Sequence, residues 1–211
     1  MTGQISNSAF TPSVKTVQAQ KGSRDAYEKM EEKGGWTDVV TDDLAAFIGE
    51  QDSFYLGTAA KDGQPYIQHR GGPKGFLKVI DDKTLAFADF LGNRQYIPSG
   101  NLAENHKAYL FLMDYPNRYR IKIWGTARIV DDDPELLARL ADDGYRGKPE
   151  QAIVFTVKAW DRNCPQHITP RYTEVQVSDR VAEQVAGLQA EVQALKAERD
   201  AVAKALAEAD R

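Results

Sequence analysis

Along the middle of the chain, apolar and aromatic runs of strand length are separated by turn residues, and residues 119–130 alternate with the two-residue period of a β-strand. Strands are predicted at residues 54–59, 66–70, 76–80, 85–88, 108–113, 119–130 and 152–157. Lys61-Asp62-Gly63 supplies a glycine for the turn of the first hairpin. Strands joined by such short turns predict a small antiparallel barrel, closed or half-closed, although a β-sandwich would give the same pattern.

Helices are predicted between and before these strands. They cover residues 23–34, a segment that starts at Thr41, residues 96–105, and a segment that Asp133 caps with Pro134 at its first position. Residues 1–22 are rich in Ser, Thr and Gln and show no period, so we expect an extended N-terminal arm. The predicted fold class is therefore mainly β with helices.

The C-terminal tail, residues 178–211, has a third pattern. Ser178 is a suitable helix cap, and Arg199 occupies one core position of a heptad seam. The seam consists of Val181, Val185, Leu188, Val192, Leu195, Val202 and Leu206. This spacing favours a coiled-coil helix that pairs between subunits, and a surface helix packed on its own domain is the alternative. The chain then divides into the arm at 1–22, a barrel domain at 23–177 and the coiled-coil helix at 178–211.

Composition narrows the function classes. The 211 residues are 42% hydrophobic and 27% charged, which suits a globular protein with a substantial core. A net charge of −4 without a basic run argues against nucleic acid or a membrane surface as partner. No apolar stretch reaches the roughly 20 residues that span a bilayer. The single cysteine, Cys164, excludes an internal disulfide framework, so we expect a cytoplasmic protein.

One glycine-rich segment interrupts two predicted strands. Between residues 68 and 76, the adjacent Gly71 and Gly72 permit close backbone approach to a flat ligand. Arg70 and Lys74 add positive charge beside that opening. A wide turn with solvated charges is the alternative interpretation.

Two further segments carry candidate binding residues. Asn93 and Arg94 lie close to the start of a predicted helix, where unpaired backbone N–H groups favour an anion. Residues 160–172 follow the last predicted strand and combine aromatic and hydrogen-bonding side chains with two prolines, which indicates a function beyond a rigid linker. Cys164 and His167 do not complete a tetrahedral metal site, so no metal is predicted.

From about residue 42 to residue 172 the chain resembles the pyridoxamine 5′-phosphate oxidase-like family of flavin proteins, in a subgroup distinct from the vitamin-B6 oxidase itself. Three sets of motifs carry the resemblance: Gln68-His69-Arg70-Gly71-Gly72 with Gly75-Phe76, Gly92-Asn93-Arg94-Gln95-Tyr96 with Gly100-Asn101-Leu102, and Asn163-Cys164-Pro165-Gln166-His167-Ile168. Gly71-Gly72-Pro73 replaces a bulky run and a lysine of the vitamin-B6 oxidase, and the C-terminus departs into the heptad pattern. Oxidation of pyridoxine phosphate is therefore not implied.

The resemblance implies a homodimer of split β-barrels with two FMN sites at the subunit interface. It implies that Arg70 and Arg94, helped by Gln95 and Lys74, hold the flavin phosphate, while the backbone of Gly71 and Gly72 follows the isoalloxazine ring. The remaining implied cofactor contacts, from the same or the facing subunit, are His69, Asn93, Asn101, Trp160, Gln166, His167 and Arg171. Arg171 and Lys122 are the candidates for positive charge near the pyrimidine edge of the ring.

The function that follows from the resemblance is an FMN-dependent oxidoreductase acting on a small-molecule substrate, with a nicotinamide as candidate electron donor. His69 and His167 are the candidate catalytic residues, although each side chain is more often structural. Two alternatives stay open: a flavin-binding or sensing module without turnover, and the same barrel with haem or a deazaflavin.

Overall fold

A computed structural model describes residues 5–162 and 164–209. Its elements in chain order are a short 3₁₀ helix (Ile5–Ser8), α1 (Pro12–Gln20), α2 (Arg24–Glu32), α3 (Asp42–Gly49), β1 (Ser53–Ala59), β2 (Pro65–Gly71), β3 (Lys78–Val79), β4 (Thr84–Phe90), α4 (Ile97–Glu104), β5 (Lys107–Asp114), β6 (Tyr119–Val130), α5 (Pro134–Leu140), β7 (Pro149–Arg162) and α6 (Glu174–Ala209). Among the described helices, none is both long and apolar enough to cross a membrane.

The strands form a single seven-stranded sheet in the order β2-β1-β5-β6-β7-β4-β3, and each neighbouring pair is antiparallel. The predicted antiparallel sheet with helices is confirmed, but the described helices hold more residues than the strands, so the fold is mixed helix and sheet and not mainly β. β3 is shorter than predicted because Phe76 and Leu77 turn into the core before the ladder with β4 begins. β7 is longer than predicted because it pairs with both β4 and β6 along its length.

The sheet curls so that strands distant in its order share one core. Phe54 on β1 meets Phe87 on β4 edge to face at 5.1 Å, although three strands separate β1 from β4 in the sheet order. Phe54 also stacks on Phe76 at 5.3 Å. One sheet that packs against itself is a barrel, which decides the fold against the two-sheet sandwich. Among the described residues, no ladder joins β2 to β3 or β4, and the barrel is open along this line.

An ion pair crosses the open line of the barrel. Arg70 on β2 donates through Nη1 to Oδ1 of Asp89 on β4, and the two side chains are only 14% and 10% exposed. Asp89 Oδ2 accepts a hydrogen bond of 2.9 Å from Gln151 Nε2, which also donates to Ser99 Oγ at 3.1 Å. A buried carboxylate is tolerated only when its oxygens are paired, and here both are.

The predicted extended arm is wrong for residues 12–20, which form α1. Thr11 caps this helix by accepting from the N–H of Val14 at 3.3 Å, and Pro12 has the fixed φ of a first helical residue. The helix has no apolar stripe. Polar contacts hold it in place, including a 2.7 Å hydrogen bond from Arg24 to Gln18. The missing stripe hid the helix from the sequence pattern. Residues 1–4 of the arm lie outside the described residues.

The buried side chain of Glu31 holds the N-terminal segment together. It is 1% exposed and accepts hydrogen bonds from Ser6, at 2.5 Å, and from Arg24, with Lys15 3.4 Å away. Burial alone would raise the pKa of Glu31, but these hydrogen bonds and the positive charges of Lys15 and Arg24 outweigh it, and the pKa lies below its usual 4.5.

The chain forms two compact units, which divide between Ile168 and Thr169. The second unit contains α6, which begins at Glu174 and not after the predicted cap Ser178. The reason is a capping box: the N–H of Gln176 bonds to Thr173 Oγ1 at 3.3 Å, and the N–H of Thr173 bonds to Gln176 Oε1 at 2.9 Å. No described residue of α6 is buried, and residues 210–211 lie outside the described residues.

Replacing Asp89 by Asn should strand the Arg70 guanidinium without a counter-charge. We expect D89N to lower the free energy of unfolding by about 3 kcal/mol in urea denaturation followed by circular dichroism. The R70Q/D89N double variant should lose less than the sum of the two single losses, since each single change isolates the other charge. E50Q, which breaks the exposed Lys74–Glu50 pair, is the control and should cost less than about 0.5 kcal/mol. Strictly additive losses for Arg70 and Asp89 would contradict the pairing.

Replacing Glu31 by Ala should lower the free energy of unfolding of the N-terminal segment by roughly 1–3 kcal/mol at pH 7. A carboxylate with a lowered folded pKa stabilises above its unfolded pKa, and this contribution is lost as the pH falls through the folded pKa. The difference between wild type and E31A should therefore shrink below about pH 4.5. Tryptophan fluorescence reports the change because Phe10 lies 5.0 Å from Trp36. E28A alters an exposed carboxylate of the same helix and should behave as wild type; a pH-independent difference for E31A would refute the assignment.

Candidate functional site

Two adjoining cavities lie along the open line of the barrel. Their volumes are about 300 Å³ and about 540 Å³, which is the size range of small-molecule sites. The residues common to both linings are Gln68, Arg70, Asp89, Phe90 and Gly92. The ion pair between Arg70 and Asp89 thus forms part of the wall of each cavity.

The smaller cavity lies at the start of α4. Arg94 Nε donates to the Tyr96 hydroxyl at 3.3 Å, and this hydroxyl donates to Glu150 Oε1 at 2.7 Å. The hydrogen bond to Tyr96 and the negative charge of Glu150 raise the pKa of Arg94, so its charge is secure. Both Arg94 and Tyr96 have left-handed backbones, with φ of 60° and 50°. Non-glycine residues in this region are strained, and such strain is concentrated at functional sites.

Several polar groups at the smaller cavity have unused hydrogen-bonding capacity. Arg70 Nε and Gln68 Oε1 are buried atoms without a hydrogen-bond partner in the chain. The Tyr96 side chain does not cap α4, and the first N–H groups of a helix have no acceptor within the helix. The cavity therefore combines two guanidinium groups with a helix N-terminus, an arrangement that suits an anion. Asp89 and Glu150 line it too, so its formal charge is balanced.

The larger cavity has aromatic walls. Phe76, Phe87 and Phe90 line it, and Phe90 packs against Tyr145 with ring centroids 5.1 Å apart. His69 lines the same cavity and meets Tyr55 edge to face at 5.7 Å. Apolar rings beside a polar neighbouring cavity suit an amphipathic planar ligand.

Six of the thirteen residues predicted as cofactor contacts line these cavities. His69, Arg70 and Gly71 line the larger one, and Arg70, Asn93, Arg94 and Gln95 line the smaller one. Arg70 and Arg94, which the sequence pattern assigned to one phosphate, thus share a cavity. Asn93 also shapes the loop, because its Oδ1 accepts from the N–H of Gln95 at 3.3 Å.

The other seven predicted contacts lie elsewhere in the described chain. Lys74 forms an exposed ion pair with Glu50, and Gly72 packs so close to Phe76 that an added Cβ would lie 2.5 Å from its ring. Asn101 donates to Thr58 Oγ1 at 3.0 Å, and Trp160 donates to the carbonyl of Val39 at 2.8 Å. The last three are exposed: Gln166 and His167 after β7, and Arg171 in the second unit.

Lys122, proposed for the pyrimidine edge, is also away from both cavities. It pairs with Asp161 at 2.8 Å and lies 5.3 Å from the ring centre of Trp124. Asn163, part of one family motif, lies outside the described residues.

Several polar residues of the smaller cavity were not predicted as cofactor contacts, among them Gln68, Asp89, Ser99 and Glu150. Asp89 had a signal, because a carboxylate within the apolar strand Leu85-Ala86-Phe87-Ala88 needs a partner once it is buried. Glu150 had none, since it reaches the cavity only through the pairing of β7 with β4.

Comparisons with known proteins agree with this fold. The family model described as pyridoxamine 5′-phosphate oxidase matches residues 40–164. No curated protein sequence matches the chain significantly. Among solved structures, HupZ of Group A Streptococcus is 17% identical over 63% of this chain and 99% of its own, with a TM-score of 0.49. An FMN-binding protein from Syntrophomonas wolfei subsp. wolfei is 16% identical over 70% of this chain and 97% of its own, also with a TM-score of 0.49.

A protein described as F420 reductase is 19% identical over 55% of this chain and 94% of its own, with a TM-score of 0.39. The family match covers more than half of the chain and includes every element from α3 to β7. The chain therefore belongs to the pyridoxamine 5′-phosphate oxidase family.

Proposed function

We propose that the protein is an FMN-dependent oxidoreductase that acts on a small molecule. The observation that carries the proposal is the shared cavity of Arg70 and Arg94 at the start of α4, next to a larger aromatic cavity. A phosphate and a flat amphipathic ring are the two parts of FMN, and membership of the family supports this ligand.

The phosphate would bind through directed donors and not through net charge. Asp89 and Glu150 offset the two arginines, so the cavity offers little excess positive potential. Arg70 Nε, however, is a buried donor without an acceptor, and the guanidinium of Arg94 is exposed toward the same space. Charge-assisted hydrogen bonds from such groups are stronger than neutral ones, and the planar guanidinium fork matches two oxygens of a phosphate.

The ring would occupy the larger cavity. Phe76, Phe87 and Phe90 offer apolar contact, and Gly71 keeps that wall free of a side chain. When bound, FMN would supply the hydride and single-electron chemistry that these side chains cannot perform. His69 lines this cavity and is the candidate to hold or deliver a proton there. His167 would take part only across a subunit boundary.

A homodimer would complete the site. Among the described residues, Trp160, Gln166 and His167 do not line the cavities of their own chain, and a second copy is the natural source of such contacts. The proposed setting is the cytoplasm, with a nicotinamide as electron donor.

A flavin-binding module without turnover is the second candidate. The observation that favours it is the balanced, hydrogen-bonded state of the acidic groups at the cavity: Asp89 is paired with Arg70, and Glu150 accepts from Tyr96. Because these carboxylates are already engaged, proton transfer at the cavity would depend on His69. A visible spectrum of the purified protein separates either flavin function from the same barrel holding haem or a deazaflavin.

Arg94→Ala tests the phosphate site. We expect FMN affinity, measured by quenching of flavin fluorescence, to fall about 10- to 100-fold, the loss that follows from one charge-assisted hydrogen bond. Riboflavin has the ring without the phosphate, so its affinity should stay within about twofold. Arg128→Ala is the matched control, because Arg128 is exposed on β6 away from both cavities. Equal losses for FMN and riboflavin would exclude Arg94 as a phosphate ligand.

Turnover tests the oxidoreductase against the module. The FMN-loaded protein should be bleached by NADH or NADPH under anaerobic conditions and regain its colour with an electron acceptor. His69→Gln should slow the reaction about 10²-fold or more if the imidazole transfers a proton, and saturating FMN keeps any loss of flavin binding out of the measured rate. If dithionite bleaches the flavin but neither NADH nor NADPH does, and no acceptor supports a cycle, the module is favoured.

A further inference from the structure

The helix α6 carries an apolar stripe that its own chain leaves exposed. It runs for 36 residues, from Glu174 to Ala209, and none of its described residues is buried. The apolar residues of the heptad seam are between 45% and 62% exposed: Val181, Val185, Leu188, Val192, Leu195, Val202 and Leu206. Such a stripe on a long helix indicates a partner, because apolar surface in water is unfavourable.

The residue types in the centre of the seam, from Val185 to Leu195, favour a two-stranded parallel coiled coil. With Val185 as an a position, the a positions are Val185, Val192, Arg199 and Leu206, and the d positions are Val181, Leu188, Leu195 and Val202. β-Branched residues at a with leucine at d favour two parallel strands. A single polar or charged residue at an a position lowers the stability of a coiled coil but fixes its register and its number of strands. Arg199 occupies such a position.

The charges that flank the seam distinguish the two directions of pairing. Glu191 and Glu198 are g positions, and Lys196 is an e position. Parallel in-register pairing brings Glu191 beside Lys196 of a second copy, and it brings Glu198 beside Arg199 of that copy. Antiparallel pairing of the same seam, with Val192 opposite Leu195, brings Glu191 beside Glu198 of the second copy. The parallel arrangement gains two attractive contacts per helix, whereas the antiparallel one gains repulsion.

We propose that α6 is an interaction surface for α6 of a second copy of this chain, paired parallel and in register. The evidence for this pairing comes from the residues of α6 alone. Its consequence for the flavin site rests on the proposed function. Parallel helices begin at the same end, so the two barrels emerge together, whereas antiparallel helices would place the two starts about 54 Å apart. A tail that joins two barrels at one end raises their effective concentration for sharing flavin sites.

Disulfide trapping in the full-length chain tests direction and register. Cys164, the sole cysteine, is first replaced by Ser, and one cysteine is then introduced as L195C or V192C. With oxidised glutathione as oxidant, each variant alone should form covalent dimers at least tenfold faster than the control A197C, which lies on the outer face of the heptad. A disulfide only in the mixture of V192C and L195C chains would establish antiparallel pairing and overturn the proposal. No trapping beyond A197C would overturn it as well.

Charge reversal gives a second measurement with opposite signs for the two arrangements. E191K should raise the dimer dissociation constant about tenfold in sedimentation experiments, because it puts like charges beside Lys196 of the second copy. E191K/K196E should restore the wild-type value. If E191K tightens the dimer, it has relieved repulsion from Glu198 and the pairing is antiparallel. FMN affinity is measured on the same protein samples. Absence of flavin binding together with intact disulfide trapping would count against the proposed function only.

Discussion

The contact between Arg70 and Asp89 is the constraint on which both the barrel and its cavities depend. It joins β2, at one edge of the sheet, to β4, near the other edge, where no described backbone ladder connects them. Burial of either charge alone would be costly, so each side chain fixes the position of the other. Since both residues also line the two cavities, the contact that closes the barrel also shapes the cavities.

The loop before α4 shows a second constraint, in which strain is balanced by packing. Arg94 and Tyr96 adopt left-handed backbones that cost of order 1–3 kcal/mol each. The helix that follows is secured by the hydrogen bond from Asn101 to Thr58 and by burial of Leu102. A strained loop anchored in this way presents Arg94 to the cavity with little freedom to reorganise, which favours binding of a ligand by a preformed site.

The sequence predicted what depends on local periodicity and missed what depends on contacts across the barrel. Strand positions followed from apolar runs of strand length, as in β4, and from alternation in β6. The helix α1 was missed because polar contacts, including those to Glu31, replace the apolar stripe that would have revealed it. Lys74 lies four residues from Arg70, yet it points to Glu50, whereas Glu150, distant in sequence, reaches the cavity through the sheet. Spacing along the chain does not encode which strands become neighbours.

The two compact units satisfy their apolar residues in different ways. In the first, Phe54, Phe87 and Phe155 are almost completely buried within the chain, so the barrel needs no other molecule for its core. In the second, the seam of α6 remains in water. In proteins, most of the stability of a helix comes from tertiary packing of its apolar face. The barrel thus satisfies its apolar residues within the chain, whereas α6 leaves its apolar seam exposed.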